Sequence, residues 1–260
     1  MDQRNRFRET IEEGGVVLGA RSATFSPTVV ELYGDLGLDF VWLDFEHTGR
    51  SPWDSTVFEE LTRAAETGET ELLVRLPTGD PALVRKVLDA GVRNLLVPRV
   101  DSAEEVRTAV EATRFVYGDE PGQRGLASGR SKPWSGADDY VEVEDGSVCL
   151  GVMIEKATAL AELGEILAVP ELGFVFVGPS DLSVQLGHPA DKSHPDVQAA
   201  VREIRDAALD ADVPLGRISH DPDGAVELIR DGCQIVRIGG ELEAAQKTIG
   251  ERLRRIDEER

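Results

Sequence analysis

The sequence predicts an α/β protein in which eight parallel strands, each followed by a helix, close into a (β/α)8 (TIM) barrel. Three observations predict this fold. Short β-branched runs alternate with longer amphipathic stretches along the whole chain, which is the pattern of repeated βα units. The strand-like runs number eight, and the chain has 260 residues, a typical length for this barrel. The turn after the first strand lacks a G-x-G-x-x-G pattern, so an open dinucleotide-binding sheet is disfavoured.

Each strand is predicted from a run of β-branched or other apolar residues. The predicted strands are residues 16–20, 40–45, 71–76, 94–97, 149–154, 174–177, 214–219 and 235–238. The helices are predicted from apolar residues at helical spacing. They are residues 27–36, 53–67, 81–90, 103–115, 157–167, 195–211, 222–230 and 242–259. A short helix at residues 5–13 is expected to cap the N-terminal end of the barrel. Because no linker divides these units, we expect one domain over residues 1–260.

Local signals mark several of these boundaries. Ser26, Asp80 and Asp221 each precede a proline, an order that places an N-cap before the first helical residue. Glycine follows four helices, at positions 37, 68, 91 and 232, where it suits a left-handed C-terminal turn. Residues 116–139 break the repeat, since they are rich in Gly, Ser and Pro. A loop of this length in a compact domain is usually functional or disordered.

The charge of the chain limits its partners. Asp and Glu number 49 against 28 Lys and Arg, a formal net charge of −21. Such a surface repels nucleic acid and anionic lipid headgroups, so both are disfavoured as partners. No apolar run is long enough to span a membrane, and the first residues are polar rather than a signal peptide. We therefore expect a cytoplasmic protein. The acid excess, with only 5 Lys among the basic residues, is also compatible with a salt-adapted (halophilic) protein.

Polar side chains follow four of the predicted strands. Asp44, Glu46 and His47 follow the second strand, Arg75 ends the third, and Glu155 ends the fifth. The sixth strand runs into the sequence GPSD, which ends at position 181. Because the carboxyl ends of the strands share one face of such a barrel, these side chains are expected to meet at its mouth.

Glu155 and Asp181 are the candidate metal ligands. Each follows an apolar run, where an ionised carboxylate is costly unless it is paired or binds a cation. Two carboxylates with open positions suit Mg²⁺, Mn²⁺ or a similar divalent ion. The pattern also allows an N-cap role for Asp181 and an ion pair with a neighbouring Arg for Glu155.

His47 and Arg75 each have a catalytic and a structural interpretation. A histidine beside carboxylates can serve as a general base, although a lone histidine is more often structural. Arg75 can stabilise a carboxylate or a developing enolate oxygen, or it can close a barrel layer through an ion pair. The other histidines, at positions 188, 194 and 220, stand in polar loops and are predicted to be solvated surface.

Six ordered segments carry a family resemblance. They are LDFEHTGR, VRLPTGDPALVRKVLDAG, LLVPRVDSAEE, the QRG loop, MIEKATAL and FVGPSDLSVQLGHP. In order and spacing they resemble the HpcH/HpaI class II aldolases, which include the 4-hydroxy-2-oxoheptanedioate and 2-keto-3-deoxyrhamnonate aldolases. The resemblance implies a lyase that uses Mg²⁺, Mn²⁺ or Co²⁺. Such an enzyme reversibly cleaves 4-hydroxy-2-oxo acids or 2-keto-3-deoxy sugar acids to pyruvate and an aldehyde.

The resemblance also implies roles for individual residues. Glu155 and Asp181 would ligate the metal, and Asp44 would hold metal-bound water. Arg75 would contact the pyruvate keto or enolate oxygen. His47 would act in proton transfer.

Further implied roles concern the substrate and the assembly. Asp89 would assist His47 from a neighbouring subunit, which implies a homo-oligomer, in this family usually a hexamer built as a trimer of dimers. Backbone N–H groups around Gly178 and Ser180 would hold the pyruvate carboxylate. Arg124 of the QRG loop is retained and is expected to contact substrate, whereas residues 126–133 diverge from the family. Met153 stands where the family usually has Gln, so an apolar wall replaces a hydrogen-bond donor.

Other chemistries remain as alternatives. A Schiff-base mechanism is disfavoured because Lys156, the one lysine near a strand end, alternates away from the side that Glu155 faces. A CoA-ester lyase or an oxaloacetate decarboxylase can use the same enolate chemistry, but the acidic surface argues against binding CoA phosphates. A catalytically impaired barrel that acts as a binding protein is a further alternative, for which Met153 is the only hint.

Overall fold

The computed structural model describes residues 5–127, 129–132 and 138–260, and it confirms the predicted (β/α)8 barrel. Eight strands form one closed sheet in the order β1-β2-β3-β4-β7-β8-β9-β10, with β10 returning to β1, and every pairing in it is parallel. These strands are β1 (Val17–Arg21), β2 (Phe40–Asp44), β3 (Glu71–Arg75), β4 (Asn94–Val97), β7 (Cys149–Ile154), β8 (Phe174–Val177), β9 (Leu215–Ile218) and β10 (Ile235–Gly240).

Helices cover the outside of the barrel and close one end of it. They are α1 (Arg6–Glu12), α2 (Pro27–Asp35), α3 (Ser55–Thr67), α4 (Pro81–Asp89), α5 (Ala103–Glu111), α6 (Tyr140–Ser147), α7 (Ala157–Ala161), α8 (Leu163–Leu167), α9 (Pro179–Gln185), α10 (Pro195–Asp210), α11 (Pro222–Arg230) and α12 (Glu241–Glu258). No helix among the described residues is long and apolar enough to cross a membrane.

Several predicted boundaries need correction. The helix predicted at residues 157–167 is two short helices, α7 and α8, with Glu162 between them in a non-helical conformation. Helices α6 and α9 were not predicted. The break at residues 116–139 contains a two-stranded antiparallel hairpin, β5 (Val116–Tyr117) and β6 (Glu120–Pro121). Positions 128 and 133–137 of that segment lie outside the described residues.

The predicted helix caps are mostly confirmed. The Asp80 side chain accepts the backbone N–H groups of Ala82 and Leu83, and that of Asp221 accepts the N–H of Gly224. Ser26 precedes α2 but makes no such bond. Glycines 37, 91 and 232 have positive φ, whereas Gly68 has φ −82°. The left-handed turn that was expected at all four positions is therefore present at three.

The core has two parts, and the strands separate them. One apolar cluster lies between the strands and the surrounding helices, and a second fills the barrel interior. Side chains alternate between these two faces along each strand. Interior positions are crowded: a Cβ at Gly216 would lie 2.1 Å from the ring of Phe176 on the neighbouring strand. The Phe176 ring fits there because residue 216 on the adjacent strand is a glycine, whose side chain is a hydrogen atom.

Helix α1 closes the N-terminal end of the barrel, as predicted. Phe7 packs edge-on against Phe40, with ring centroids 5.5 Å apart, and lies 5.7 Å from Phe174. Asn5 is the N-cap of α1 and also donates to the Asn94 side chain on β4 over 2.6 Å. The closed end leaves the carboxyl ends of the strands as the open mouth.

Candidate active site

A buried ion pair between β2 and β3 lies at the mouth of the barrel. Asp44 and Arg75 are directly opposite in the strand register. Arg75 Nε and Nη2 donate to the two Asp44 carboxylate oxygens over 3.0 and 2.7 Å. Burial alone would raise the pKa of Asp44, but the hydrogen bonds and charge of Arg75 outweigh it and lower the pKa. This bidentate pair fixes the Arg75 guanidinium at the mouth.

Glu46 is a site residue to which the sequence analysis assigned no role. Its side chain is only 8 % exposed, and its Oε2 lies 3.0 Å from Arg75 Nη1 and 3.4 Å from His47 Nε2. Burial raises the pKa of Glu46, against the opposing charge of Arg75. His47 is 60 % exposed, so its ring can reach molecules that enter the mouth. The sequence did contain a signal for Glu46 as a site residue, because Glu46 lies in the segment LDFEHTGR together with Asp44 and His47.

Glu155 is a buried carboxylate without a cationic side-chain partner among the described residues. It is 2 % exposed, and its Oε1 accepts the backbone N–H of Arg99 over 2.8 Å. Arg99 has φ 54°, an uncommon conformation for a residue other than glycine. Burial, together with the charges of Asp181 and Glu46, raises the pKa of Glu155 to about 7. Among the residues that the structure describes, Glu155 does not form the ion pair with a neighbouring Arg that the sequence allowed.

Gly178 allows Glu155 to occupy this position. A Cβ at residue 178 would lie 2.5 Å from Glu155 Oε2 and 3.2 Å from Met153 Sδ. Only glycine leaves room for the carboxylate, so this strand end is shaped around it. Met153 also lies against Arg75, with its sulfur 3.9 Å from Nη1.

Asp181 completes a group of three carboxylates at the mouth. It lies in the first turn of α9, whose N-cap is Gly178 rather than Asp181. Its Oδ1 lies 3.4 Å from Arg99 Nη1, and its side chain is 41 % exposed. The negative charge of Asp181 contributes to the raised pKa of Glu46, and the charges of Asp181 and Glu46 contribute to the raised pKa of Glu155. A partly unneutralised set of carboxylates fits a divalent cation, which Glu155 and Asp181 could hold with water in the open positions.

A second group of side chains, outside the mouth residues described so far, has candidate ligand atoms close enough together to hold a metal ion. In the described part of the chain, only His188, His194 and Asp196 place three candidate ligand atoms within 4.8 Å of one another. The two rings stack with centroids 3.3 Å apart, and His188 Nε2 lies 3.0 Å from Asp196 Oδ2. His194 Nδ1 also accepts the backbone N–H of Asp196 as the N-cap of α10. Both imidazoles are partly buried, and they contact each other rather than only solvent.

Asp89 and Arg124 lie away from the mouth of their own chain. Asp89 ends α4, and a helix that follows a strand runs back, so its last turn lies beside the amino ends of the strands. Arg124 is buried, donates to Glu144 over 2.6 Å and stacks 4.7 Å from the Phe115 ring. Burial raises the pKa of Asp89, which the charge of Arg124 opposes. A role for either residue at the mouth stays a prediction, and it requires a neighbouring chain.

Other predicted residues stand at strand ends as expected. Ser180 is exposed in the first turn of α9, and its carbonyl accepts the hydroxyl of Ser183 over 2.6 Å. Lys156 forms an ion pair with Asp101 at 2.5 Å, which occupies the one lysine considered for imine chemistry. The substrate contacts predicted for Gly178 and Ser180 stay predictions.

Comparisons with known proteins agree with this geometry. The family model described as HpcH/HpaI aldolase/citrate lyase matches residues 21–247. The hydroxypyruvate/pyruvate aldolase of Cupriavidus necator is 34 % identical over 241 residues, which cover 92 % of this chain and 87 % of that protein. The 2-keto-3-deoxy-L-rhamnonate aldolase of Salmonella gallinarum is 32 % identical over 237 residues, 90 % of this chain and 86 % of that protein.

Solved structures show the same similarity. An HpcH/HpaI aldolase/citrate lyase family protein from Burkholderia cenocepacia has a TM-score of 0.90 at 28 % identity, covering 97 % of this chain and 99 % of that one. The HpcH/HpaI aldolase from Desulfitobacterium hafniense has a TM-score of 0.84 at 26 % identity, covering 96 % of each chain.

Proposed function

Because the chain belongs to the HpcH/HpaI aldolase/citrate lyase family, we propose that it is a divalent-metal-dependent pyruvate aldolase. It is a carbon–carbon lyase, and it cleaves 4-hydroxy-2-oxo acids or 2-keto-3-deoxy sugar acids reversibly to pyruvate and an aldehyde. The relatives named for hydroxypyruvate, pyruvate and 2-keto-3-deoxy-L-rhamnonate support this class of small 2-oxo acid substrates.

The observation that carries the proposal is the Glu155 carboxylate. It lies 2 % exposed at the mouth, near Asp181 and Glu46, with a backbone N–H as its only hydrogen-bond donor among the residues described. A buried carboxylate is costly unless a cation compensates it. Glu155 and Asp181 would hold Mg²⁺, Mn²⁺ or Co²⁺, an ion that supplies Lewis-acid stabilisation of the enolate formed when the carbon–carbon bond beside the ketone breaks.

The protein side chains supply the remaining functions. Arg75 donates to both carboxylate oxygens of Asp44 and lies 3.0 Å from Glu46. Because these contacts already fix the guanidinium, it needs little reorganisation when a substrate oxygen beside it gains negative charge. His47 stands at the exposed edge of this group, 3.4 Å from Glu46, where its ring can move a proton to or from the aldehyde oxygen. Met153 presents a thioether to Arg75 and excludes water from that side of the site.

The proposed enzyme works as an oligomer. Asp89 lies at the opposite end of the barrel from His47 in the same chain, so it can assist His47 only across an interface between copies. Helix α12 supports such an assembly, because it has no buried residue and its apolar side chains are exposed. Those side chains are Leu242, Ile249, Leu253 and Ile256.

The test is a pyruvate-release assay on the purified protein. Activity with a 2-keto-3-deoxy sugar acid should disappear after treatment with EDTA and dialysis, and it should return when Mn²⁺ or Mg²⁺ is added. A matched sample that passes through the same dialysis without EDTA controls for loss of folded protein. Activity that survives complete removal of metal would refute the proposed mechanism.

A further inference from the structure

Two histidines in the segment between α9 and α10 lie beside one carboxylate. His188 and His194 stack with their ring centroids 3.3 Å apart and their planes 15° apart. The Oδ2 atom of Asp196 lies 3.0 Å from His188 Nε2 and 3.6 Å from His194 Nδ1. One carboxylate oxygen therefore faces a nitrogen of each ring. The proposed chemistry uses none of these three side chains.

The distances within this group match those between ligands of a single metal ion. Zinc bonds of about 2.0–2.2 Å in a tetrahedron place neighbouring ligand atoms about 3.4 Å apart. The measured nitrogen–oxygen distances, 3.0 and 3.6 Å, lie on either side of that value. One ligand atom from each of the three residues lies within 4.8 Å of the other two. Because the ring planes are nearly parallel, a small rotation of one ring is needed to aim both nitrogens at one ion.

The hydrogen bonds of the two rings show which atoms a metal ion would use. His194 Nδ1 accepts the backbone N–H of Asp196, and a ring nitrogen that accepts carries a lone pair instead of a proton. This bond is 3.3 Å long, longer than an ordinary N–H hydrogen bond, so a metal ion can compete with it. His188 Nε2 lies 3.0 Å from the Asp196 carboxylate and donates to it. A metal ion would take the place of that proton, since a ligating ring nitrogen must be deprotonated.

The backbone around the two histidines is already fixed. His188 and His194 each precede a proline, which restricts the backbone of both residues to extended conformations. His194 accordingly has φ −55° and ψ 137°. The His188 N–H donates to the Ser183 carbonyl over 2.7 Å, and the Ser183 hydroxyl accepts the N–H of Ala190 over 3.1 Å. Ligands on a segment held in this way lose little conformational entropy when an ion binds.

The ligand atoms and the local charge indicate the class of ion. Imidazole nitrogens suit Zn²⁺, Cu²⁺ and Ni²⁺, whereas Mg²⁺, Ca²⁺ and Mn²⁺ favour sites made of oxygen atoms. Residues 187–196 contain two acids, Asp191 and Asp196, and one base, Lys192, so the segment attracts cations. The side chains of His188 and His194 are 27 % and 31 % exposed. An ion can therefore enter from solvent and keep water in its fourth position.

We propose that His188, His194 and Asp196 bind a divalent transition-metal ion of the Zn²⁺ type, at a site separate from the one proposed for Glu155 and Asp181. The ion joins the segment between α9 and α10 to the first turn of α10, and it stabilises the folded chain there. This inference goes beyond the proposed aldolase function and does not depend on it, because the ligands and the class of ion both differ.

The experiment is a calorimetric titration with Zn²⁺ of protein purified without a histidine tag and stripped of metal with EDTA. In His188→Phe, which keeps a ring for stacking and removes the nitrogen, one equivalent should bind at least about 10-fold more weakly than in the parent protein. His194→Asn should weaken the same equivalent, although its amide can still cap α10. His220→Phe is the matched control, because His220 is exposed and lies outside this group, and it should bind Zn²⁺ as the parent does.

Glu155→Gln separates this site from the one at the mouth. It should retain the Zn²⁺ equivalent that His188→Phe weakens, and saturating Zn²⁺ should raise its melting temperature through that equivalent. The double variant Glu155→Gln/His188→Phe should show a smaller rise. Equal Zn²⁺ binding in His188→Phe and the parent protein would overturn the inference. Equal rises in melting temperature in Glu155→Gln and the double variant would also overturn it.

Discussion

At the scale of single residues, Glu155 is the side chain on which the proposed chemistry most directly depends. Glu155→Gln keeps the shape of the side chain and removes the negative charge that a cation requires. We expect kcat/KM for pyruvate release to fall by at least about 100-fold, since even residues that only orient a metal ligand cost 10- to 100-fold. Titration with Mn²⁺, followed by calorimetry, should show a parallel loss of metal affinity.

Glu165→Gln is the control for this change, because it removes one carboxylate from the exposed face of α8. It should leave both metal affinity and pyruvate release near those of the parent protein. Unchanged metal binding in Glu155→Gln would contradict the assignment of Glu155 as a ligand.

Gly178 allows a second test at this scale. In Gly178→Ala the added methyl group would lie 2.5 Å from Glu155 Oε2, so the carboxylate must move. We expect metal affinity to fall about 10- to 100-fold, the usual cost of disturbing the surroundings of a metal ligand. Gly164→Ala, on α8 with open space around the new methyl group, is the matched control. Equal metal affinity in Gly178→Ala and the parent protein would show that Glu155 does not need this space.

The site residues differ in how far the sequence could predict them. Asp44, Arg75 and Glu155 could be placed because each ends an apolar strand, and strand ends share one mouth. The burial of Arg237 inside the barrel could not be predicted in the same way, because Arg237 lies within β10 and its inward direction depends on which residues of that strand face the interior. Those residues are identified only once Ile235 is known to belong to the interior cluster. The order of strands in one chain does not indicate which residue of a neighbouring chain completes the site, so the role proposed for Asp89 could not be predicted from that order.

At the scale of elements, α1 is the helix whose contribution to stability is simplest to measure. Phe7 is 1 % exposed and contacts the Phe40 and Phe174 rings inside the barrel. Phe7→Ala should lower the free energy of unfolding by about 3–5 kcal/mol, because it leaves a cavity among aromatic rings. Urea denaturation followed by circular dichroism measures this value. Arg6→Ala, an exposed change in the same helix, should stay within about 0.5 kcal/mol.

Elements with a regular pattern were predictable, and elements defined by tertiary contacts were not. The strands and the long amphipathic helices follow period and capping, so their positions match within a few residues. Helix α6 escaped prediction because its helical pattern is weak and its buried residues include Glu144, which pairs with Arg93 and Arg124. A buried acid looks like a surface residue in a sequence, since its cationic partners are distant along the chain.

At the scale of the whole molecule, the net charge of −21 predicts a dependence of stability on salt. Mutual repulsion of carboxylates opposes the compact state, and ions screen it over about 10 Å at 0.1 M salt. We expect the melting temperature to rise as KCl increases from about 0.1 to 2 M. Sucrose, which favours burial without screening charge, is the comparison, and its effect should be smaller. A melting temperature that does not change with KCl would contradict a salt-adapted surface.

The proposed shared site leads to a prediction about mixtures of inactive subunits. His47→Ala and Asp89→Ala should each be inactive alone, because every site in either protein lacks one of the two residues. Coexpression of both variants creates sites in which the intact His47 of one subunit meets the intact Asp89 of another. With random assembly, about a quarter of the sites combine the two intact residues, so activity should return to about a quarter of the parent value. Mixing separately folded oligomers without exchange of subunits is the control, and it should restore nothing.

If coexpression also restores nothing while both variants assemble normally, then Asp89 does not act across an interface. His47 must in that case move its proton with groups of its own chain, of which Glu46 at 3.4 Å is the first to test.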